Sequence, residues 1–157
     1  IQDQLPSTSA LTEKIKDAIR TSQIKEYEGL PCGPDIPSSD EIIVVEGRAD
    51  VLNLLKNGIK NVIAINGAKI PQAIIDLSKE KLVTLFVDGD RGGELIIKEF
   101  AQLADIDYIA RAPPEKEVEE LSKKEIFKAL RERISIEQYK IVPKAKELKE
   151  FIKEESG

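Results

Sequence analysis

The chain has 157 residues, 41% apolar and 34% charged, with a formal net charge of −5. That suits one domain of ordinary size with short appendages, whereas a chain that held nucleic acid by net charge alone would be basic. With no histidine and a single cysteine, Cys32, an internal disulfide, a thiol or imidazole zinc site and a Ser-His-Asp triad are all excluded. Any metal must therefore be held by carboxylates, which leaves Mg²⁺, Mn²⁺ or Ca²⁺. The cysteine count points to an intracellular, cytoplasmic setting, and no run is apolar enough to span a membrane. With Ile at position 1 and no methionine, the chain is expected to be a piece of a longer protein.

Leu11, Ile15, Ala18 and Ile19 have helical spacing, which predicts a helix over residues 11–27 with Ser9 as a cap. Gly29-Leu30-Pro31-Cys32-Gly33-Pro34 and Pro37-Ser38-Ser39 read as a linker or irregular loop. The stretch before Ser38 is therefore expected to pack as an appendage outside any sheet. Ile42-Ile43-Val44-Val45 is a β-branched run, the pattern of a strand buried on both faces. Residues 49–57 read as a helix that Gly58 ends. Val62-Ile63-Ala64-Ile65 is a second strand, and Pro71 suits the first turn of the helix that follows. Leu82-Val83-Thr84-Leu85-Phe86-Val87 is a third strand. A helix over 92–104 carries Leu95, Ile96, Phe100 and Leu103 on one side. Tyr108-Ile109-Ala110 ends a fourth strand. Ser122-Lys123-Lys124-Glu125 is a capping box opening a helix to Arg133. After Pro143, the spacing of Leu148, Phe151 and Ile152 predicts one more amphipathic helix, or a segment that orders only against a partner.

Strands that alternate with helices and are buried on both faces make an α/β fold. The expectation is a mainly parallel four-stranded sheet near residues 42–46, 62–65, 82–87 and 106–110, with helices on both faces and right-handed crossovers. The chain divides into an N-terminal helix and linker (1–39), the α/β domain (40–134) and a helical tail (135–157).

In such sheets functional groups collect at the carboxyl ends of strands. The first strand ends in Glu46-Gly47-Arg48 and the third in Asp88-Gly89-Asp90-Arg91-Gly92-Gly93, so three acids reach one edge. Two aligned carboxylates suit a cation that keeps waters for phosphates to replace. Gly89 removes bulk between the acids, and Gly92 and Gly93 let a phosphate approach a helix start. Asp-Gly is also a common turn, and an aspartate before a helix often only caps it. The apolar run leading into each motif favours the joint metal reading. Glu117-Val118-Glu119-Glu120 could reach the same edge, or be ordinary charge before a helix. Arg48 and Arg91, and less strongly Lys69 and Arg111, are candidates for phosphate or nucleic-acid contact.

Glu46-Gly47-Arg48-Ala49-Asp50 followed by Asp88-Gly89-Asp90 resembles the Toprim family. Val44 to Val51, Phe86 to Gly93, and Tyr108-Ile109-Ala110-Arg111-Ala112-Pro113-Pro114 resemble archaeal DnaG-type primases in particular. So do Gly33-Pro34-Asp35 and Val118-Glu119-Glu120-Leu121. The resemblance runs from about Thr8 to Tyr139. It implies a Toprim fold and a nucleotidyltransferase that makes short RNA primers from ribonucleotides on a DNA template. It implies Mg²⁺, replaceable by Mn²⁺, on Asp88 and Asp90, with Glu46 in proton transfer or metal binding. Glu117 and Glu119 stand where bacterial primases have a further Asp-x-Asp, and the change to Glu leaves their metal role open. Archaeal DnaG-like proteins also imply a second job, a non-catalytic exosome subunit that holds adenine-rich RNA. A Toprim nuclease would use the same acids. A topoisomerase would need a tyrosine nucleophile, for which Tyr27, Tyr108 and Tyr139 have no context and read as packing residues.

Overall fold

The computed structural model describes residues 8–140, apart from the side chains of Thr8 and Arg91. Along them run α1 (Thr8–Thr21), β1 (Lys25–Tyr27), β2 (Leu30–Cys32), β3 (Glu41–Val45), α2 (Arg48–Lys56), β4 (Val62–Ala64), α3 (Gln72–Glu80), β5 (Leu82–Val87), α4 (Arg91–Leu103), β6 (Tyr108–Arg111), a one-turn 3₁₀ segment (Val118–Glu120), α5 (Lys123–Arg131) and β7 (Ile134–Ser135). The helix expected after Pro143 falls outside the described residues.

The four predicted strands make the parallel centre of one sheet. Ile43 pairs with Val62 and with Thr84, and Leu85 with Ile109. Both faces are covered. Val45, Leu54, Phe86, Val118 and Ile126 are fully buried between the sheet and α2 and α5. Val44, Ile74, Leu85, Ile97 and Phe100 are buried under α3 and α4.

The sheet is wider than expected, in the order β1-β2-β4-β3-β5-β6-β7. The stretch before Ser38 is not an appendage: it supplies a hairpin that pairs antiparallel with β4 through Cys32 and Ile63. The predicted helix over 11–27 stops at Thr21. There Thr21 Oγ1 donates to Asp17 O at 3.0 Å and Ser22 Oγ to Ile19 O at 2.6 Å, so hydroxyls take up the last carbonyls. Glu28 (φ 49°) and Gly29 (φ 81°) then form the primed turn that suits a two-residue hairpin. The hairpin covers one open edge of the parallel sheet, and β7 covers the other by pairing antiparallel with β6. Ser135 and Gln138 exchange side-chain-to-backbone bonds of 3.1 and 3.2 Å, capping the helical residues 136–140.

The capping box of α5 forms as its sequence predicts. Ser122 Oγ accepts from Glu125 N at 3.2 Å, and Glu125 Oε1 accepts from Ser122 N at 3.1 Å. Ser122→Ala should cost about 1 kcal/mol, which thermal melting will register as a fall of roughly 2–4 °C. Among the described residues no helix is long and apolar enough to cross a membrane.

Candidate metal centre

β4 lies on one side of β3 and β5 on the other, so the winding of the chain reverses between β3 and β5. A crevice opens at the carboxyl ends of strands at such a switch point. Glu46 follows β3 and Asp88 follows β5, and the register brings them to one level: Val44 pairs with Leu85. A cleft of about 440 Å³ lies there, with Glu46, Asp50, Asp88, Glu117 and Glu119 among its lining residues. Ile65, Ile70 and Ile96 form an apolar wall to the same cleft.

The turn after β5 brings the third acidic segment in. Gly89 N donates to Lys116 O at 2.9 Å, and Glu115 N to Gly89 O at 3.3 Å. A Cβ on Gly89 would lie 2.1 Å from the Pro113 carbonyl oxygen. The glycine is therefore needed for loop packing, not to clear space between the acids. Gly93 is similar, since its Cβ would stand 2.6 Å from Asp88 O. With the loop docked, Val118 N donates to Asp88 Oδ1 at 2.8 Å. The 3₁₀ turn thus begins on one of the candidate acids.

Asp50, quoted in the first motif but given no role from sequence, is 7% exposed. Its Oδ2 accepts from Gly47 N at 3.0 Å, and the Glu119 backbone N–H also bonds to it. Its spacing from Gly47, three residues into a helix start, was a readable capping signal. Asn53, one turn further along α2, donates to Val118 O and Leu121 O. No local pattern announces that, because its partners are 65 and 68 residues away.

The structure brings Glu46, Asp50, Asp88, Glu117 and Glu119 to one cleft. Asp90 is exposed at the head of α4, where its Oδ1 accepts from Gly93 N at 3.2 Å. Among the described residues no three His, Cys, Asp or Glu are grouped as a ready ion cage. Arg48, the first residue of α2, is exposed, as is Lys69. Arg111 pairs with Glu94 at 3.5 Å. Arg91 opens α4, and its side chain is outside the described residues. Tyr27 and Tyr139 pack against the core, and Tyr108 carries Arg133 over its ring at 4.7 Å.

The acids crowd one another. Burial, then the charges of Asp88 and Asp50, push the Glu46 carboxyl up from 4.5 to about 7. Burial pushes Asp50 from 3.8 to about 6, against the opposing bond from the Gly47 amide. Burial also raises Asp88, with the Val118 amide opposing and the Asp90 charge adding. Glu117 is raised by its hydrogen bond to Glu119 and by that residue's charge. The ion pairs among the described residues, Lys16–Glu13, Arg111–Glu94 and Lys116–Glu125, lie on other acids. An oxygen-only donor set with unneutralised negative charge fits a hard dication such as Mg²⁺ or Mn²⁺.

These shifts set a pH dependence. Folded Glu46 and Asp50 hold protons more tightly than the unfolded chain does. The stability they contribute is full below their ordinary values, 4.5 and 3.8, and is lost as pH rises through about 7 and about 6. In chelator, the wild-type melting temperature should therefore lose more than that of Glu46→Gln between about pH 5 and about pH 8. Equal losses would show that Glu46 titrates normally.

A Toprim-domain family model matches residues 40–110. DNA primase DnaG of Thermococcus gammatolerans is 59% identical over 158 residues, covering 98% of this chain and 35% of that protein. DNA primase DnaG of Methanocaldococcus jannaschii is 62% identical over 131 residues, covering 82% of this chain and 31% of that protein. A solved structure of the Aquifex aeolicus primase, with zinc-binding and RNA polymerase domains, is similar with a TM-score of 0.59 and 26% identity. That likeness covers 71% of this chain and 30% of the other. The chain spans about a third of the length of the curated relatives it matches.

Proposed function

This chain carries a Toprim domain of archaeal DnaG type, and on that footing we propose that it is the dication-binding part of a primase joining ribonucleotides into short RNA primers on a DNA template. The observation that carries the reading is the cleft at the β3–β5 switch point, where Glu46, Asp50, Asp88 and Glu117 are gathered, with Glu46, Asp50 and Asp88 raised in pKa first by burial and then by neighbouring charge. Mg²⁺, with Mn²⁺ as a substitute, would supply charge neutralisation at the triphosphate and in-line orientation of the reacting groups. Asp88 would bind it, Asp90 would join by releasing its bond to the head of α4, and Glu117 and Glu119, which line the same cleft, would complete the set. Glu46 would accept the proton of the primer 3′ hydroxyl as that oxygen attacks the α-phosphate. The bond from the α-phosphorus to the bridging oxygen breaks, and pyrophosphate leaves. Arg48, exposed at the first residue of α2, and Arg91 would steady phosphate oxygens, with Lys69 and Arg111 as weaker candidates. Such an enzyme works where the chromosome is, in the cytoplasm.

The test is primer synthesis by the full-length protein on single-stranded DNA with ribonucleotides and Mg²⁺ or Mn²⁺. Short RNA products are expected. No product, together with capture of adenine-rich RNA, would replace the primase with the exosome-adaptor role. Cleavage of the template instead of synthesis would make the domain a nuclease.

A further inference from the structure

The 3₁₀ segment bears Glu117, Glu119 and Glu120 and is held close to Glu46, Asp50 and Asp88, which repel it: the charge of Glu117 helps to raise all three. Amide bonds to Asp88 and Asp50 leave that repulsion in place, so a neutral donor that holds the segment adds no charge to it. We propose that Asn53 is that positioning residue and that, by fixing the 117–121 segment over Glu46 and Asp88, it sets the affinity of the cleft for a dication. The assignment rests on the dication reading of the cleft.

Asn53 Nδ2 donates to Val118 O and to Leu121 O, both at 2.9 Å, so one amide clamps the segment at the start and just past the end of its single turn. Two carbonyl acceptors require the amide nitrogen on that side. Its oxygen is occupied as well, accepting from Asn57 Nδ2 at 3.3 Å. Both ends of the side chain are thus used, which makes Asn53 a strut and not a ligand. Val118 and Leu121 are also buried in the core, and the remaining polar bonds to the turn come from the candidate acids themselves, since Asp88 accepts from Val118 N and Asp50 from Glu119 N. A lysine or arginine at position 53 would neutralise the acids that a cation needs, and an aspartate or glutamate could not donate. A neutral double donor meets both demands.

The experiment is Mn²⁺ uptake by the full-length protein, read by the electron paramagnetic resonance of free Mn²⁺. The proteins are wild type, Asn53→Ala, Asn53→Asp and Ser78→Ala. Ser78 is a buried control near the end of α3 and outside the cleft, where its Oγ donates to Ile75 O and accepts from Asp105 N. Asn53→Ala should weaken Mn²⁺ roughly 10–100-fold, as loss of a residue that orients ligands does, and Ser78→Ala should leave uptake unchanged. Asn53→Asp keeps the shape and adds a negative charge. Charge alone would tighten Mn²⁺, whereas lost positioning weakens it, and weakening is expected. Wild-type uptake that both Asn53 variants match or exceed would overturn the assignment while leaving the dication reading intact. Equal weakening by Ser78→Ala would overturn it as general loosening of the fold. A wild type that takes up no Mn²⁺ would sink the dication reading and the assignment with it.

Discussion

Replacing Asp88 with Asn should lower primer synthesis by the full-length protein roughly 10²–10³-fold, the scale seen when one preorganised electrostatic group is removed from a reacting centre. The substitution keeps the shape, and an amide oxygen can still accept the 2.8 Å bond from Val118 N. What disappears is one negative charge in the cleft. That charge is second only to burial in holding Glu46 up at about 7, so Glu46 should fall toward its ordinary range. In chelator the variant should therefore melt no lower than wild type. Lost activity with held stability separates a role in dication binding from a role in folding. Steady-state rates and melting curves on the same preparation check it. A variant that melts early and loses activity in proportion would make Asp88 a structural acid.

Gly89→Ala should be the most damaging single-methyl change at this site. The added carbon would meet Pro113 O at 2.1 Å, the Pro113 carbonyl carbon at 2.7 Å and Ala112 O at 2.8 Å. All three are backbone atoms, which cannot rotate away as a side chain would. Relief requires the 113–116 loop to lift, and that breaks the bonds of Gly89 to Lys116 and Glu115. Overpacking of this kind costs about 3 kcal/mol, or roughly 6–12 °C in the melting of a domain this size. The same movement drags Val118 off Asp88, so dication uptake should fall with stability. An unchanged melting temperature would mean that the loop does not press on Gly89.

These residues also mark how far the sequence could be read. The central strands were legible because Ile42–Val45 and Leu82–Val87 are long enough to carry a buried pattern of their own. The acids were legible because strand ends in a parallel sheet share an edge. β1, β2 and β7 were not. Each is two or three residues long, and Lys25-Glu26-Tyr27 has no apolar run; they are strands because β4 and β6 offer them open edges. The turn at Glu28-Gly29 was the only local signal, and the helical spacing before it masked it. Gly89 was noticed, but the reason for it lies more than twenty residues away at Pro113. Asp50 had a capping signal, whereas its second partner, Glu119, belongs to the tertiary structure. Asn53 had none.

The most direct measurement of the central claim is an anomalous difference map from crystals of the protein soaked in Mn²⁺. The account predicts a peak at the carboxyl ends of β3 and β5, in coordination distance of the Asp88 carboxylate and directly or through water on Glu46. A map with no peak in that cleft, or with Mn²⁺ bound only to acids elsewhere on the surface, would contradict it.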